Sequence, residues 1–361
     1  MYVCVSVCAC VCVCVCVCKL SIFCHAITRK MLQGSFWNFS CIFGVPQGSH
    51  CGPILFIIFI NDIKNVIIFS KFLRYADDIK IFIRVKSVLD ASNLQRDLEN
   101  ITKWASDNDL SLNIDKCKQV SFVKNHSPIV FQYKIHQSAL ESVHSIKDLG
   151  VYFDSAFSFS THIQHTYSKA YSALGFLIRS SKDFKNVYTI VSLFRSNVLS
   201  ILLYGSPVWS PYYNVNSQQI EKIQRSLRYA SYKTDLPMEY NNHNYSTISR
   251  KLKIPTIKSI HDYNDIILTF KILNNSISSK SLLDHFKVRQ ISYNIRNFRE
   301  IKESNSNSNY AFNSSITRLR RTWNKLPERI KSINSLFTFK VKAKEFCFKF
   351  YWNVITLNYW G

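Results

Sequence analysis

Residues 72 to 83 read Phe-Leu-Arg-Tyr-Ala-Asp-Asp-Ile-Lys-Ile-Phe-Ile, with an acidic doublet, Asp77 and Asp78, between two short apolar runs. Such runs on either side of a polar pair predict the two strands of a hairpin with the aspartates at its tip. Adjacent carboxylates repel each other unless a cation or a basic partner lies between them. The arrangement therefore suits a hard divalent ion such as Mg2+. Taken alone it also describes a solvated turn, which is the commoner use of an Asp-Asp pair.

Upstream, Gly44-Val45-Pro46-Gln47-Gly48-Ser49-His50-Cys51-Gly52-Pro53-Ile54-Leu55-Phe56 combines two prolines and three glycines with the start of an apolar helix that runs to Asp62. Pro53 suits a first helical position, and the loop before it is of the kind that brings backbone close to a ligand. Taken in order, GVPQGS, GPILF, FIND and YADD resemble motifs B and C of the reverse transcriptases of non-LTR, long-interspersed-element type retrotransposons. Residues 87–110 then predict an amphipathic helix, with Leu94, Leu98, Ile101 and Trp104 on one stripe and Ser92 with Gln95 as a capping box. Leu112 to Lys118 resembles motif D, with Lys116 near the incoming nucleotide; a solvated turn lysine fits the same residue. Ile146 to Asp154 resembles the motif E primer grip, centred on Leu149 and Gly150, and on its own it is also a plain surface hairpin.

The resemblance implies an RNA-directed DNA polymerase acting by two-metal phosphoryl transfer. Asp77 and Asp78 would be its catalytic and metal-binding carboxylates, and Pro46, Gln47, Gly48, Ser49 and Lys116 would contact nucleotide and template. Partners would be an RNA template, a DNA primer and deoxynucleoside triphosphates, with Mg2+ or Mn2+ as cofactor. A third carboxylate belongs to motif A, upstream of motif B, yet Asp62 is the first acidic residue in the chain. The expectation is a truncated enzyme with weak metal binding and no activity by itself. The alternatives are a non-catalytic nucleic-acid-binding fragment and an untranslated relic.

Val-Cys alternation runs unbroken from Val11 to Cys18, and seven of the twelve cysteines fall in residues 4–18. A translated GT-dinucleotide repeat would give this pattern, so residues 1–30 are expected to add no specific core contacts. The stretch is short for a membrane span, lacks the basic start of a signal peptide, and matches no usual zinc spacing. Cys24, Cys41, Cys51, Cys117 and Cys347 are scattered and suggest no disulfide framework. A nuclear or cytoplasmic location is implied by the family, with membrane and secretory roles disfavoured. No P-loop or Gly-x-Ser-x-Gly sequence is present.

Charge divides the chain unevenly. Residues 1–154 carry 16 Lys and Arg against 12 Asp and Glu, whereas residues 155–361 carry 30 against 11. The second part has the footprint of a polyanion binder. It reads mainly as helix over residues 162–178, 187–203 and 218–229, and Lys222, Arg225 and Arg228 share one face suited to phosphate contacts. Leu203-Tyr204-Gly205-Ser206-Pro207-Val208-Trp209 resembles a recurrent "LxYGxxxW" thumb feature of the family. Arg318 to Pro327 resembles the tail that follows it, in which Trp323 fits either a base-stacking or a core role. The expected fold class is α+β: residues 34–154 as a partial polymerase palm of antiparallel sheet and helices, 155–235 as a helical thumb, and 236–361 as a basic helical extension. Residues 1–33 form a low-complexity leader in this reading.

Overall fold

The computed structural model describes residues 2–8, 50, 52–108, 110–122, 129–232, 252–288, 300–302 and 309–348, which fall into two compact units, residues 1–158 and 159–361. In the first, β1 is Tyr2–Cys8, α1 Gly52–Ile60, β2 Lys71–Tyr75, β3 Asp78–Arg84 and α2 Val88–Asp107. Then follow β4 (Lys118–Phe122), β5 (Lys134–Ile135), β6 (Ser138–Ala139), β7 (Glu141–Ser142), β8 (Ser145–Asp148) and β9 (Val151–Asp154). The described residues are thus mixed helix and small sheets, an α+β arrangement.

The principal sheet has the order β2-β3-β1-β4-β7, while β5 pairs with β6 and β8 with β9. The expectation that the Val/Cys region supplies no specific contacts fails for Tyr2–Cys8. β1 is the middle strand, antiparallel to β3 on one side and to β4 on the other. Its alternation registers Val3, Val5 and Val7 against Ile83, Ile81 and Ile79, and Cys4, Ser6 and Cys8 against Phe82, Lys80 and Asp78. Directly opposed residues of an antiparallel pair share a sheet face. Period two in the sequence therefore meets period two in β3, whose Ile79 and Ile81 are buried. Codon repetition had suggested arbitrary sequence, but Val-Cys alternation is also a binary strand pattern with a β-branched residue at every second place.

Helix α2 lays Leu94, Leu98, Ile101 and Trp104 into the core with Ile60, Ile63, Ile79, Ile81 and Val85. Its capping box is Ser87 with Asp90, one turn before the expected Ser92 and Gln95. The earlier pair satisfies the first free N–H groups of the helix. Backbone N–H donation from Lys86 and the hydroxyl of Ser87 hold the Asp90 carboxyl below the usual range. Ser92 instead donates to the Val88 carbonyl at 3.1 Å. Gln95 docks α2 on β5, accepting from the Lys134 N–H at 2.9 Å and donating to its carbonyl at 3.0 Å.

In the second unit α3 is Ser160–Ser180, α4 Val187–Phe194, α5 Ser206–Trp209, α6 Asn214–Tyr232, α7 Ile257–Leu273, α8 Ser315–Asn324 and α9 Leu336–Cys347. The Tyr204-Gly205 break ahead of α5 depends on Gly205, whose φ of 62° favours glycine. Trp209 is buried, donates from Nε1 to the Tyr204 carbonyl at 2.7 Å, and lies edge-on between His162 (4.8 Å) and His261 (5.3 Å). From α8, Arg318 donates to the carbonyls of Pro207 (2.5 Å) and Ser210 (3.2 Å) and pairs at 2.8 Å with Asp265 of α7. The two sequence signatures, around Tyr204 and around Arg318, are thus two sides of one clamp. Trp323 is a core residue: it is 1% exposed and packs on Phe339, which stacks on Phe270.

No helix among the described residues is long and apolar enough to cross a membrane.

Two stability tests follow from this packing. Val5→Pro removes a ladder donor from the middle strand and should destabilise the first unit by on the order of 3 kcal/mol, read by urea unfolding and by loss of amide protection at Ile79 and Ile81. Burial of His261, opposed by the Leu202 carbonyl and reinforced by the Arg318 charge, lowers its pKa from 6.5 to about 4. A depressed folded-state value favours the neutral ring. Its stabilising effect is complete above pH 6.5 and is lost as pH falls toward 4. Asp265 and Asp262, both raised by burial, titrate in the opposite sense in the same unit. Thermal melts of His261→Gln beside the unaltered chain isolate the histidine: the variant should lose less stability between pH 7 and pH 5.

Candidate functional site

The acidic doublet sits on the β2–β3 hairpin. Tyr75 pairs with Asp78, so Ala76 and Asp77 form a two-residue loop and Asp78 opens β3. Ala76 has φ 51°, a left-handed conformation that costs a non-glycine residue about 1 kcal/mol. The two carboxylate residues are half-buried.

Two contacts fix this hairpin. Arg74 donates from Nη1 to the Ile60 carbonyl at 2.6 Å and so satisfies the end of α1. The carboxylate of Asp97, 0% exposed, accepts from the backbone N–H groups of Ile68 (2.9 Å), Phe69 (3.0 Å) and Ser70 (2.7 Å), which lead into β2. A buried carboxylate is tolerated when several N–H groups point at it. Sequence reasoning overlooked Asp97, although its place between Leu94 and Leu98 on the buried stripe was a usable signal. It also overlooked the ion pair between Lys80, two residues after Asp78, and Asp148 at the end of β8. Nothing in the local pattern of either segment reveals that pair.

Of the other predicted residues, Pro46, Gln47, Gly48 and Ser49 lie outside the described residues. Lys116 is exposed at the end of a short 3-10 turn, Ile114–Lys116, which packs beside β1 and is capped by Asn113. Leu149 and Gly150 form the two-residue turn joining β8 to β9, with φ values of 43° and 85°. Positive φ at both central positions is the hairpin geometry that favours Asn-Gly, so Leu149, 47% exposed, carries backbone strain there. Asp148 is adjacent to this turn, so its ion pair with Lys80 ties the turn to the strand that begins with Asp78. In the second unit Lys222 and Arg225 are exposed on α6, and Arg228 belongs to the same helix with its side chain outside the described residues.

The register at the carboxylates decides what chemistry is open to them. Directly opposite Asp78, on the neighbouring strand, stands Cys8. Four residues earlier on β1, the half-buried Cys4 thiol is pushed up to about 11, chiefly by burial, with Lys80 acting against it. Among the described residues no group of three or more His, Cys, Asp or Glu is arranged to hold a metal ion. A hard divalent cation prefers oxygen donors, and among the described residues Asp77 and Asp78 are not joined in such a group by a third side chain.

Comparison with known proteins places these residues in context. The sequence model for "Reverse transcriptase (RNA-dependent DNA polymerase)" matches residues 18–172. The RNA-directed DNA polymerase from mobile element jockey of Drosophila funebris is 28% identical over 201 residues, 51% of this chain and 21% of the relative. The corresponding jockey protein of Drosophila melanogaster is 28% identical over 181 residues, 46% of this chain and 19% of that relative. The probable RNA-directed DNA polymerase from transposon X-element of the same fly is 25% identical over 223 residues, 59% of this chain and 24% of the relative. The chain spans about a fifth to a quarter of the length of these relatives. The hairpin that presents Asp77 and Asp78 lies inside the matched segment, over which the chain is similar to reverse transcriptases of non-LTR retrotransposons.

Proposed function

We propose that the chain is a nucleic-acid-binding part of a retrotransposon reverse transcriptase, with part of the palm in the first unit, thumb-like and tail helices in the second, and no polymerase activity of its own. The observation that carries this reading is that, among the described residues, no third carboxylate joins Asp77 and Asp78 in a metal-holding group. Phosphoryl transfer in this family depends on oxygen ligands that bridge two ions and stabilise charge on the transferring group. Asp77 and Asp78 supply two such side chains. In this reading Lys116 and the Leu149-Gly150 turn correspond to nucleotide and primer contacts, without chemistry to serve.

Binding rests on charge. The excess of Lys and Arg in residues 155–361 supports affinity through counterion release from phosphates, with RNA and DNA held at modest sequence preference. Template RNA and primer DNA are the partners this reading assigns. Deoxynucleoside triphosphates are substrates of the intact family, and Mg2+ or Mn2+ should bind weakly here.

Primer extension on an RNA template is expected to be absent with either ion, and Asp77→Ala should leave that result unchanged. Synthesis by the unaltered chain that disappears in Asp77→Ala would overturn the inactivity. Cys8→Asp supplies a carboxylate at the register position facing Asp78, so calorimetric titration should show tighter Mg2+ binding than in the unaltered chain. A third experiment concerns α6. Replacing Lys222, Arg225 and Arg228 with alanine should flatten the dependence of log affinity on log salt, by about 0.7 to 0.9 for each phosphate that is no longer neutralised. An unchanged slope would remove α6 from the nucleic-acid interface.

A further inference from the structure

Helix α3 has an exposed face that its packing does not explain. Its buried side is His162, Ile163, Thr166, Ala170, Leu174 and Leu177. Away from that side Tyr171 is 55% exposed, large aromatic surface for a helix already anchored by its buried face. Tyr167 and Tyr171, one turn apart, are stacked, with ring centroids 5.8 Å apart and planes 17° from parallel. At the next turn the helix has Gly175, and a Cβ there would lie 3.3 Å from Nη1 of Arg179, so the guanidinium folds back along the helix over the glycine. Glycine within a helix costs about 1 kcal/mol relative to alanine. That cost leaves space for an arginine head on the surface that carries the two rings.

The charge of this region is one-sided. From Ser155 to Lys182 there is no acidic residue, while α3 contributes Lys169 and Arg179, and Lys182 follows it. Tyr171 and Arg179 are eight residues apart, about 12 Å along the axis. Stacked rings with an arginine head on the same stripe, over Gly175, match how bases and phosphates of a flexible strand are held together. Duplexes meet such a surface differently. Their bases are already stacked on each other, so a duplex uses the cations and leaves the rings without a partner. An apolar protein surface would match the rings but not the uncompensated positive charge.

We infer that the Tyr167–Tyr171 face of α3 is a stacking platform for the bases of single-stranded nucleic acid, with Arg179 as its phosphate contact. This deepens the nucleic-acid-binding reading of the second unit and rests on it.

The test measures fluorescence anisotropy of the full chain with a labelled 15-nucleotide single strand and with the same sequence as a blunt duplex. Tyr171→Ala should weaken single-strand binding roughly 5- to 100-fold, the effect of losing one base stack. Duplex affinity should change less than about twofold, and the salt slope on the single strand should stay the same. Tyr171→Trp should restore single-strand affinity, which a purely structural role at an exposed position would not require. Arg179→Ala should reduce the salt slope on both ligands. Equal losses on single strand and duplex, no loss on the single strand, or failure of tryptophan to restore binding would each overturn the platform. Binding of neither ligand by the unaltered chain would overturn the nucleic-acid reading as well, whereas binding of both with an indifferent Tyr171→Ala would remove the platform alone.

Discussion

Main-chain pairing of Tyr2–Cys8 on both of its edges is the constraint on which the first unit depends. Each strand of a sheet must place its N–H and C=O groups on a neighbour or in water, and β3 and β4 both place theirs on β1. Without a middle strand the β2–β3 hairpin would be separated from the rest of the sheet, and a two-stranded hairpin by itself is marginal in water. The α2 stripe would also lose the backing of the layer it covers. A segment of simple repeated composition can fill this place because a middle strand asks little of its side chains beyond period two and good β propensity.

Two buried charged groups do for loops what β1 does for strands. Asp97 accepts from three consecutive N–H groups before β2, and Arg318 donates to the carbonyls around α5 while paired with Asp265. In both, a charge withdrawn from water is compensated by backbone dipoles aimed at it, a geometry that holds only if helix and loop keep their relative placement. Burial pushes Asp265 up to about 6 despite its arginine, a measure of how little solvent reaches that junction. These contacts set the hairpin in one unit and the tryptophan turn in the other.

Among the described residues the hairpin presents two carboxylates, Asp77 and Asp78. A doublet at a hairpin tip needs a further carboxylate from an adjoining strand to hold two ions, and the adjoining strand has a cysteine at that place. Binding does not depend on such a ligand set. The features proposed to hold a polyanion, stacked tyrosines and an arginine folded over glycine on a helix without acidic residues, are independent of phosphoryl transfer.

Sequence alone determined the hairpin around Asp77 and Asp78, the stripe Leu94, Leu98, Ile101 and Trp104, the kinship with reverse transcriptases and the excess of positive charge in the second half. These are short-range or additive properties: alternation, helical spacing, motif order and charge counts need no knowledge of what lies across the core. Tertiary structure decided that Tyr2–Cys8 is a middle strand, in register with β3 so that Cys8 pairs with Asp78. It also assigned the helix cap to Ser87 and Asp90, brought Lys80 to Asp148 and Arg318 to Asp265, and placed Trp323 in the core. Each of these joins segments far apart in the chain or chooses between two locally equivalent options, and the choice is made by which arrangement leaves the fewest buried polar groups unpaired and the most apolar surface out of water.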